Sequence, residues 1–339
     1  MGRQRSRSVT LADVAKLAGV SVATASKALN AREEVAPTTR RRVMHAAQQL
    51  SFRPNVLARS LISGRSRAIG LLTEELGQRF AFPVLLGVEN ALGNEQMCVL
   101  LCDARGDVIR RGHHIQTLLA RQVEGFIVLG DSNDVLPSVT RDIPVPVVYV
   151  YGESDDPADL SVIADDRGGG RLAAEHLVSL GRRRIAHITG PQTYRAARER
   201  AVGLQAVLRD AGLPLTGGEP RYGEWSQRWG RHAVAMVRHA TPDVDAIFCG
   251  NDQIASGVVE SLLDSGVRVP DDVAVVGYDN WEVFATDCRR PLTTVDLNLE
   301  QLGATAVKYL TAALDGQRAS GVIRQPCRLV VRDSSGPAG

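Results

Sequence analysis

The sequence predicts an α/β chain: a small N-terminal helix-turn-helix head with a hinge helix, then a larger body of two lobes, each a doubly wound parallel sheet. Three observations predict it. At 339 residues with 44% hydrophobic content, the chain exceeds one ordinary domain and can bury two to three cores. Its charge is divided unevenly: the first 67 residues hold 13 Lys or Arg against 3 Asp or Glu, and the remainder 27 against 35. From residue 68 onward, short β-rich apolar runs alternate with helical ones. A basic end on an acidic body suits one part to phosphates and keeps the other away from them.

The head can be read helix by helix. Thr10 followed by Asp13 makes a capping box, and Leu11, Val14, Ala15 and Ala18 give a short helix one apolar face. Gly19 stops that helix, Val20 plugs the turn, and Ser21 caps the next one. On the second helix Ala25 and Ala28 share one side, with Leu29 on its flank. Val22, Ala23, Ser26, Lys27 and Asn30 spread over the other side. Small buried residues let the two helices cross closely, and the mixed donor and short apolar arc suits base edges and thymine methyls in a major groove. A third helix is predicted from Pro37 to Leu50, with Val43, Ala46, Ala47 and Leu50 inward. Its early Arg40, Arg41 and Arg42 oppose the helix dipole, so phosphate contact explains them better than stability. Pro54 starts a short helical stretch, and Ser63, Gly64 and Ser66 loosen the chain beyond it.

The Thr10–Asn30 motif, together with Pro54-Asn-x-x-Ala-Arg-Ser-Leu61, resembles the lactose-repressor family of transcriptional regulators, and the likeness runs nearly the whole length. The resemblance implies that Val22, Ala23 and Lys27 occupy base-reading positions, and that Ser21, Thr24, Asn30 and Thr39 hold phosphates. It also implies that Leu61 is a hinge leucine wedged into the minor groove, with Asn55 and Ala58 on the same hinge helix. Thr10 and Ser26 complete the candidate DNA-binding set. Two positions depart from the family pattern. Lys27 stands where arginine is common, which removes bidentate guanine readout, and Ala36 stands where a serine often caps the third helix.

In the body, apolar runs at 69–72, 99–102, 126–129 and 147–150 predict one set of strands, and those at 184–189, 246–249 and 273–276 a second. Two such sets predict two lobes with a cleft at the carboxyl ends of their strands. The resemblance adds that the lobes are like those of periplasmic sugar-binding proteins, and that the chain crosses between them near Asp165, Leu297 and Gln325. The expected division is 1–53 for the head and 54–67 for the hinge. One lobe takes 68–166 with 298–324, and the other 167–297 with 325–333.

The expected ligand-binding residues are Phe80, Phe82, Tyr151, Arg200, Trp225, Asn251 and Asp279. Arg200 lies in Gly190-Pro-x(8)-Arg200-x-x-Gly203, and Asn251 and Asp279 lie in the tetrads Gly250-Asn-Asp-Gln253 and Gly277-Tyr-Asp-Asn280, each ending an apolar strand. The family match supports these three, with Trp225 as a pocket aromatic, Phe80 and Phe82 in the first strand-to-helix loop, and Tyr151 after a one-residue shift. Asp252 belongs to the same turn as Asn251 and can either cap the following helix or reach the ligand. Leu297 is apolar where some sugar-responsive relatives carry an amide. Arginine, carboxylate and amide around an aromatic face suit a sugar, and a nucleobase is the alternative.

Other classes fit less well. Gly168-Gly-Gly170 is not a dinucleotide fingerprint, because Ala173 breaks the spacing and Asp165 and Asp166 oppose a pyrophosphate. The seven histidines are scattered, with only His113 and His114 adjacent, expected on a solvated helix end, so no enzyme chemistry, metal or cofactor is expected. The five cysteines form no CxxC pair and read as reduced, buried residues of a cytosolic protein, with Cys98 and Cys102 close enough in sequence to pair under oxidation. A solute-binding protein without a DNA role has no use for the basic head and needs a signal peptide, which the N-terminus does not resemble. The expected partners are a pseudo-palindromic operator, a small effector and a second copy of the chain, with no membrane. The lack of leucine heptads after Val331 favours a dimer over a zipper-linked tetramer.

Overall fold

The computed structural model describes residues 9–29, 34–52 and 65–336. The chain forms two compact units, residues 1–66 and 67–339. In the first, α1 (Leu11–Ala18), α2 (Val22–Leu29) and α3 (Pro37–Gln49) pack around Val14, Ala15, Ala18, Ala25, Ala28, Val35, Val43, Ala46 and Ala47. Thr10 and Asp13 exchange both bonds of a capping box, and Gly19 ends α1 at φ 61°, a left-handed position that glycine takes without steric cost. The Thr24 N–H donates to Ser21 Oγ at 3.1 Å, fixing the start of α2. Ala36 gives α3 no side-chain cap, the consequence expected of an alanine there.

The second unit holds two six-stranded sheets. The first has strand order β13-β7-β5-β3-β1-β2, all parallel, from β1 (Ala68–Thr73), β2 (Cys98–Asp103), β3 (Gly125–Leu129), β5 (Val147–Val150), β7 (Leu160–Ala164) and β13 (Gly321–Gln325). The second has order β14-β12-β11-β10-β8-β9 and comprises β8 (Ile185–Thr189), β9 (Arg221–Tyr222), β10 (Ala246–Cys249), β11 (Ala274–Tyr278), β12 (Thr293–Asp296) and β14 (Arg328–Val330). Only β14 is antiparallel there. A small parallel pair joins β4 (Val135–Leu136) to β6 (Glu153–Ser154).

Helices cover both sheets. α4 (Ala81–Asn94), α5 (Val108–Ala120) and α11 (Leu299–Leu314) pack on the first. α6 (Asp166–Ser179), α7 (Arg195–Asp210), α8 (Gln227–Ala240), α9 (Asp252–Asp264) and the short α10 (Glu282–Ala285) belong with the second. The chain passes from one sheet to the other between β7 and α6, between β12 and α11, and between β13 and β14. Gly170 and Gly203 explain the glycines at the start of α6: a Cβ on Gly170 would lie 2.2 Å from the Arg200 carbonyl oxygen, and one on Gly203 2.1 Å from that of Arg167. Gly170 thus serves a close crossing of α6 and α7, while Gly169 packs against Tyr278 and Gly168 against Asp165.

Several smaller expectations are corrected. Cys98 is exposed, and Cys102 and Cys288 are only partly buried. Cys98 and Cys102 sit on one strand, where four residues span about 13 Å, beyond the roughly 7 Å a disulfide can bridge. His113 and His114 lie in the middle of α5, where His114 reaches the Asp103 carbonyl.

Candidate functional sites in the head and in the interlobe cleft

On the head, α2 keeps Ala25 and Ala28 in the core and leaves Val22, Ala23 and Lys27 exposed, with Thr24 and Ser26 half-buried. Val22 is 49% exposed, unusual for a β-branched apolar residue and consistent with a face that meets another surface. Ser21 and Thr24 hydroxyls lie 2.8 Å apart at the helix start, where backbone N–H groups and partial positive charge also gather. Lys27 pairs with Glu34, both on the surface. Thr10 is exposed, and Thr39 is half-buried in the first turn of α3. Asn30, Asn55, Ala58 and Leu61 lie outside the described residues.

In the body, residues following the strands converge on a cleft cavity of about 250 Å³. Phe80, Tyr151, Arg200, Trp225 and Asn251 line it. Arg200 is buried at its floor. Its Nε donates to Asp166 Oδ1 at 2.7 Å, its Nη1 donates to the Gly250 carbonyl at 2.6 Å and lies 3.6 Å from Asp279 Oδ1, and its guanidinium stacks 3.7 Å over the Tyr278 ring. Burial opposes the Arg200 charge, but Asp166 and Asp279 outweigh it and hold the group protonated. The same burial pushes the Asp166 carboxyl up against the pull of Arg200.

Asp279 and Tyr151 share a backbone signature. Both take positive φ, 101° and 68°, a strained conformation for residues with a Cβ and one that gathers at ligand sites. The Asp279 side chain is only 1% exposed, because Arg79 from the opposite lobe covers it in an ion pair. The Arg79 guanidinium lies 4.1 Å from the Phe80 ring centre and 4.6 Å from that of Trp281. Aromatic pairs stand on two sides: Phe80 with Tyr151 at 4.8 Å, and Tyr194 with Trp225 at 6.1 Å.

Phe82 is not part of this wall. It follows Ala81 into α4, and since Ala81 and Val84 face the core, Phe82 turns to solvent and is 62% exposed. Asp252 is not the helix cap either. Asn251 fills that role, accepting from the Ile254 N–H at 2.9 Å. Asp252 instead accepts from the Trp281 N–H at 2.7 Å and from Thr294 Oγ1 at 2.6 Å, tying down the turn that carries Asp279. Burial and the nearby Asp279 charge push its carboxyl up to about 7.

Sequence reasoning missed Gln78, Arg79, Asp131, Ser132, Asn133, Tyr194 and Gln253 on the cavity wall. Most sit just past a strand's carboxyl end, so applying that rule to every strand would have found them. Asp166 was read only as an obstacle to pyrophosphate, whereas it is the partner of Arg200. Among the described residues no group of three or more His, Cys, Asp or Glu is placed to hold a metal ion.

Residues 10–55 match the bacterial regulatory proteins of the lacI family, and residues 174–335 match the periplasmic binding protein-like domain. The chain is 34% identical over 339 residues to the HTH-type transcriptional regulator CelR of Thermobifida fusca, covering 97% of each. It belongs to the LacI family. The ribose operon repressor of Escherichia coli (strain K12) is 32% identical to this LacI-family chain over 308 residues, 89% of it and 92% of the relative. The HTH-type transcriptional repressor PurR of Aliivibrio fischeri (strain MJ11) is 32% identical over 305 residues, 89% and 90%. Among solved structures, the lac repressor dimer bound to operator and the anti-inducer ONPF has a TM-score of 0.74 at 29% identity, covering 98% of this chain and 100% of that one. The molecule is a LacI-family DNA-binding transcriptional repressor with a ligand-binding body, and these relatives are regulators rather than enzymes.

Proposed function

We propose that this repressor binds a pseudo-palindromic operator as a dimer and that a sugar bound between the two lobes changes its operator affinity. The observation that carries the effector assignment is Arg200 on the cavity wall with Trp225, Phe80 and Tyr151, backed by the buried carboxylates of Asp166 and Asp279. A guanidinium and carboxylates grip paired hydroxyls, and an aromatic ring covers the apolar face of a pyranose or furanose. CelR of Thermobifida fusca is similar over nearly the full chain, and a CelR–cellobiose complex matches with a TM-score of 0.64 at 30% identity. The effector-binding residues are then Phe80, Tyr151, Arg200, Trp225, Asn251 and Asp279, with Arg79 and Asn133 added.

A nucleobase is the second reading, favoured by the two aromatic pairs on separate sides of the cavity and by the similarity to PurR. Paired rings can sandwich a planar base, though a sugar makes better use of the buried Arg–Asp cluster.

For DNA, Val22, Ala23 and Lys27 read bases, and Thr10, Ser21, Thr24, Ser26 and Thr39 contact or position the backbone. By resemblance, Asn30, Asn55, Ala58 and Leu61 complete the interface. One α2 helix reads too few base pairs for useful specificity, which is why a dimer on two half-sites is required. The test is anisotropy titration on a palindromic sequence from the region upstream of the gene. Affinity is expected to drop by roughly 10³-fold or more between about 50 and 200 mM salt, with a stoichiometry of two chains per duplex. A salt-insensitive complex, or one chain per duplex, would contradict it.

A further inference from the structure

The charges around the cleft limit what its effector can be, on the reading above that the cleft is the effector site. We infer that the effector carries no negative charge, and that phosphorylated or carboxylate-bearing sugars are excluded.

Among the described lining residues the cations are Arg79 and Arg200. Each is already committed: Arg200 to the buried Asp166 and the Gly250 carbonyl, Arg79 to the buried Asp279. Arg195, next along the rim, pairs with Glu153 at 2.6 Å, and its N–H donates to Asp134 Oδ1 at 2.9 Å. Asp131 on the wall is exposed and makes no ion pair among the described residues. The guanidinium charge is therefore matched by carboxylates before any ligand arrives, and Asp131 leaves the balance negative.

Helix N-termini are the other means of holding an anion, and at each of the three beside the cavity at least one N–H already has a partner. At α4 the Ala81 N–H donates to the Gln78 carbonyl and Pro83 has no N–H. At α7 the first N–H is the one Asp134 takes. At α9 the Asn251 side chain caps the turn.

Apart from Asp131, the remaining polar groups of the wall are neutral: the amides of Gln78, Asn133, Asn251 and Gln253, and the hydroxyls of Ser132, Tyr151 and Tyr194. Asn133 donates from Nδ2 to Asp166, while its buried Oδ1 has no hydrogen-bond partner, an acceptor left unsatisfied beside the cavity. A phosphoryl group moved from water into this lining gains no counter-charge to offset its lost hydration.

The experiment uses the full-length chain and matched ligand sets: glucose with glucose 6-phosphate and glucuronate, ribose with ribose 5-phosphate, and cellobiose with cellobionate, followed by calorimetric titration and thermal shift. In any set that binds, the neutral member is expected to bind at least about tenfold more tightly than its charged counterparts. A charged member binding as tightly as the neutral one, or more tightly, overturns the inference. If no sugar of any set binds, the sugar reading fails, and the charge inference is then decided by a second arm. There, inorganic phosphate is compared with chloride at equal ionic strength in wild type and Arg79→Met, following the melting of the body. Equal shifts in both proteins support an anion-excluding cleft. Phosphate stabilisation that disappears in Arg79→Met overturns it.

Discussion

Replacing Arg200 by Ala is expected to lower the stability of the body by about 3–5 kcal/mol and to abolish its response to effector. The cost arises because Arg200 is the charge that Asp166 and Asp279 surround, and all three side chains are at most 4% exposed. Without the guanidinium, Asp166 loses its counter-charge in a dry site, and Asp279 keeps only Arg79, with Asp252 close behind. The protonated form of Asp166, already favoured by its burial, then loses the opposing pull of Arg200. A buried carboxyl with a raised folded pKa is stabilising at low pH and loses that contribution as pH rises, so the gap between mutant and wild type should narrow on going from neutral toward mildly acidic pH. Urea unfolding at several pH values checks both points. A stability loss under about 1 kcal/mol, or a gap that widens in acid, would show that the cluster is better solvated than its geometry implies. Arg200→Lys should not rescue it, because one ammonium cannot donate to Asp166 and the Gly250 carbonyl while stacking on Tyr278.

The second large effect concerns the head. Ala25 has no exposed surface and sits where α1, α2 and α3 meet, in a core made mostly of alanine and valine. Ala25→Glu puts an unpaired carboxylate and extra volume into that core. So small a unit has only a few kcal/mol of stability to lose, and the change exceeds it. The head is expected to unfold and specific operator binding to fall by roughly 10³-fold or more, to the level of non-specific binding. The body, a separate compact unit, should melt within about 1 °C of wild type, since distant sites with no shared partners do not couple. Calorimetry and anisotropy on the same sample check this. A mutant that still binds operator specifically would place DNA recognition outside the α1–α3 core.

Much of this was legible in the sequence, for identifiable reasons. The head was readable because its signals are local: a capping box, a left-handed glycine stop, and alanines at helical spacing. The strands at 69–72 and 246–249 were readable because strands buried on both faces are uninterrupted apolar runs. Strands β7 and β12 to β14 were harder. Leu160–Ala164 contains a serine, β12 is mostly threonine and aspartate, and β13 and β14 are half-exposed with arginines, so composition alone does not mark them. In the cleft, Arg200 and Asn251 stood out through motif spacing. Arg79 did not, because its role depends on Asp279, two hundred residues away and on the other lobe. Phe82 failed for a purely local reason: it lies two residues beyond Phe80, inside the first turn of the helix, where about 100° of rotation per residue carries its side chain round to solvent.

The most direct test of the account closes a thermodynamic cycle with the sugar found to bind. Operator affinity is measured with and without saturating sugar, and sugar affinity with and without saturating operator, at one salt concentration. If the cleft and the head are coupled, the two ratios are equal, with a size of about 5- to 150-fold, because coupling between two sites is reciprocal. Sugar binding that leaves operator affinity unchanged would contradict the account, since the cleft would then hold a ligand without controlling the repressor.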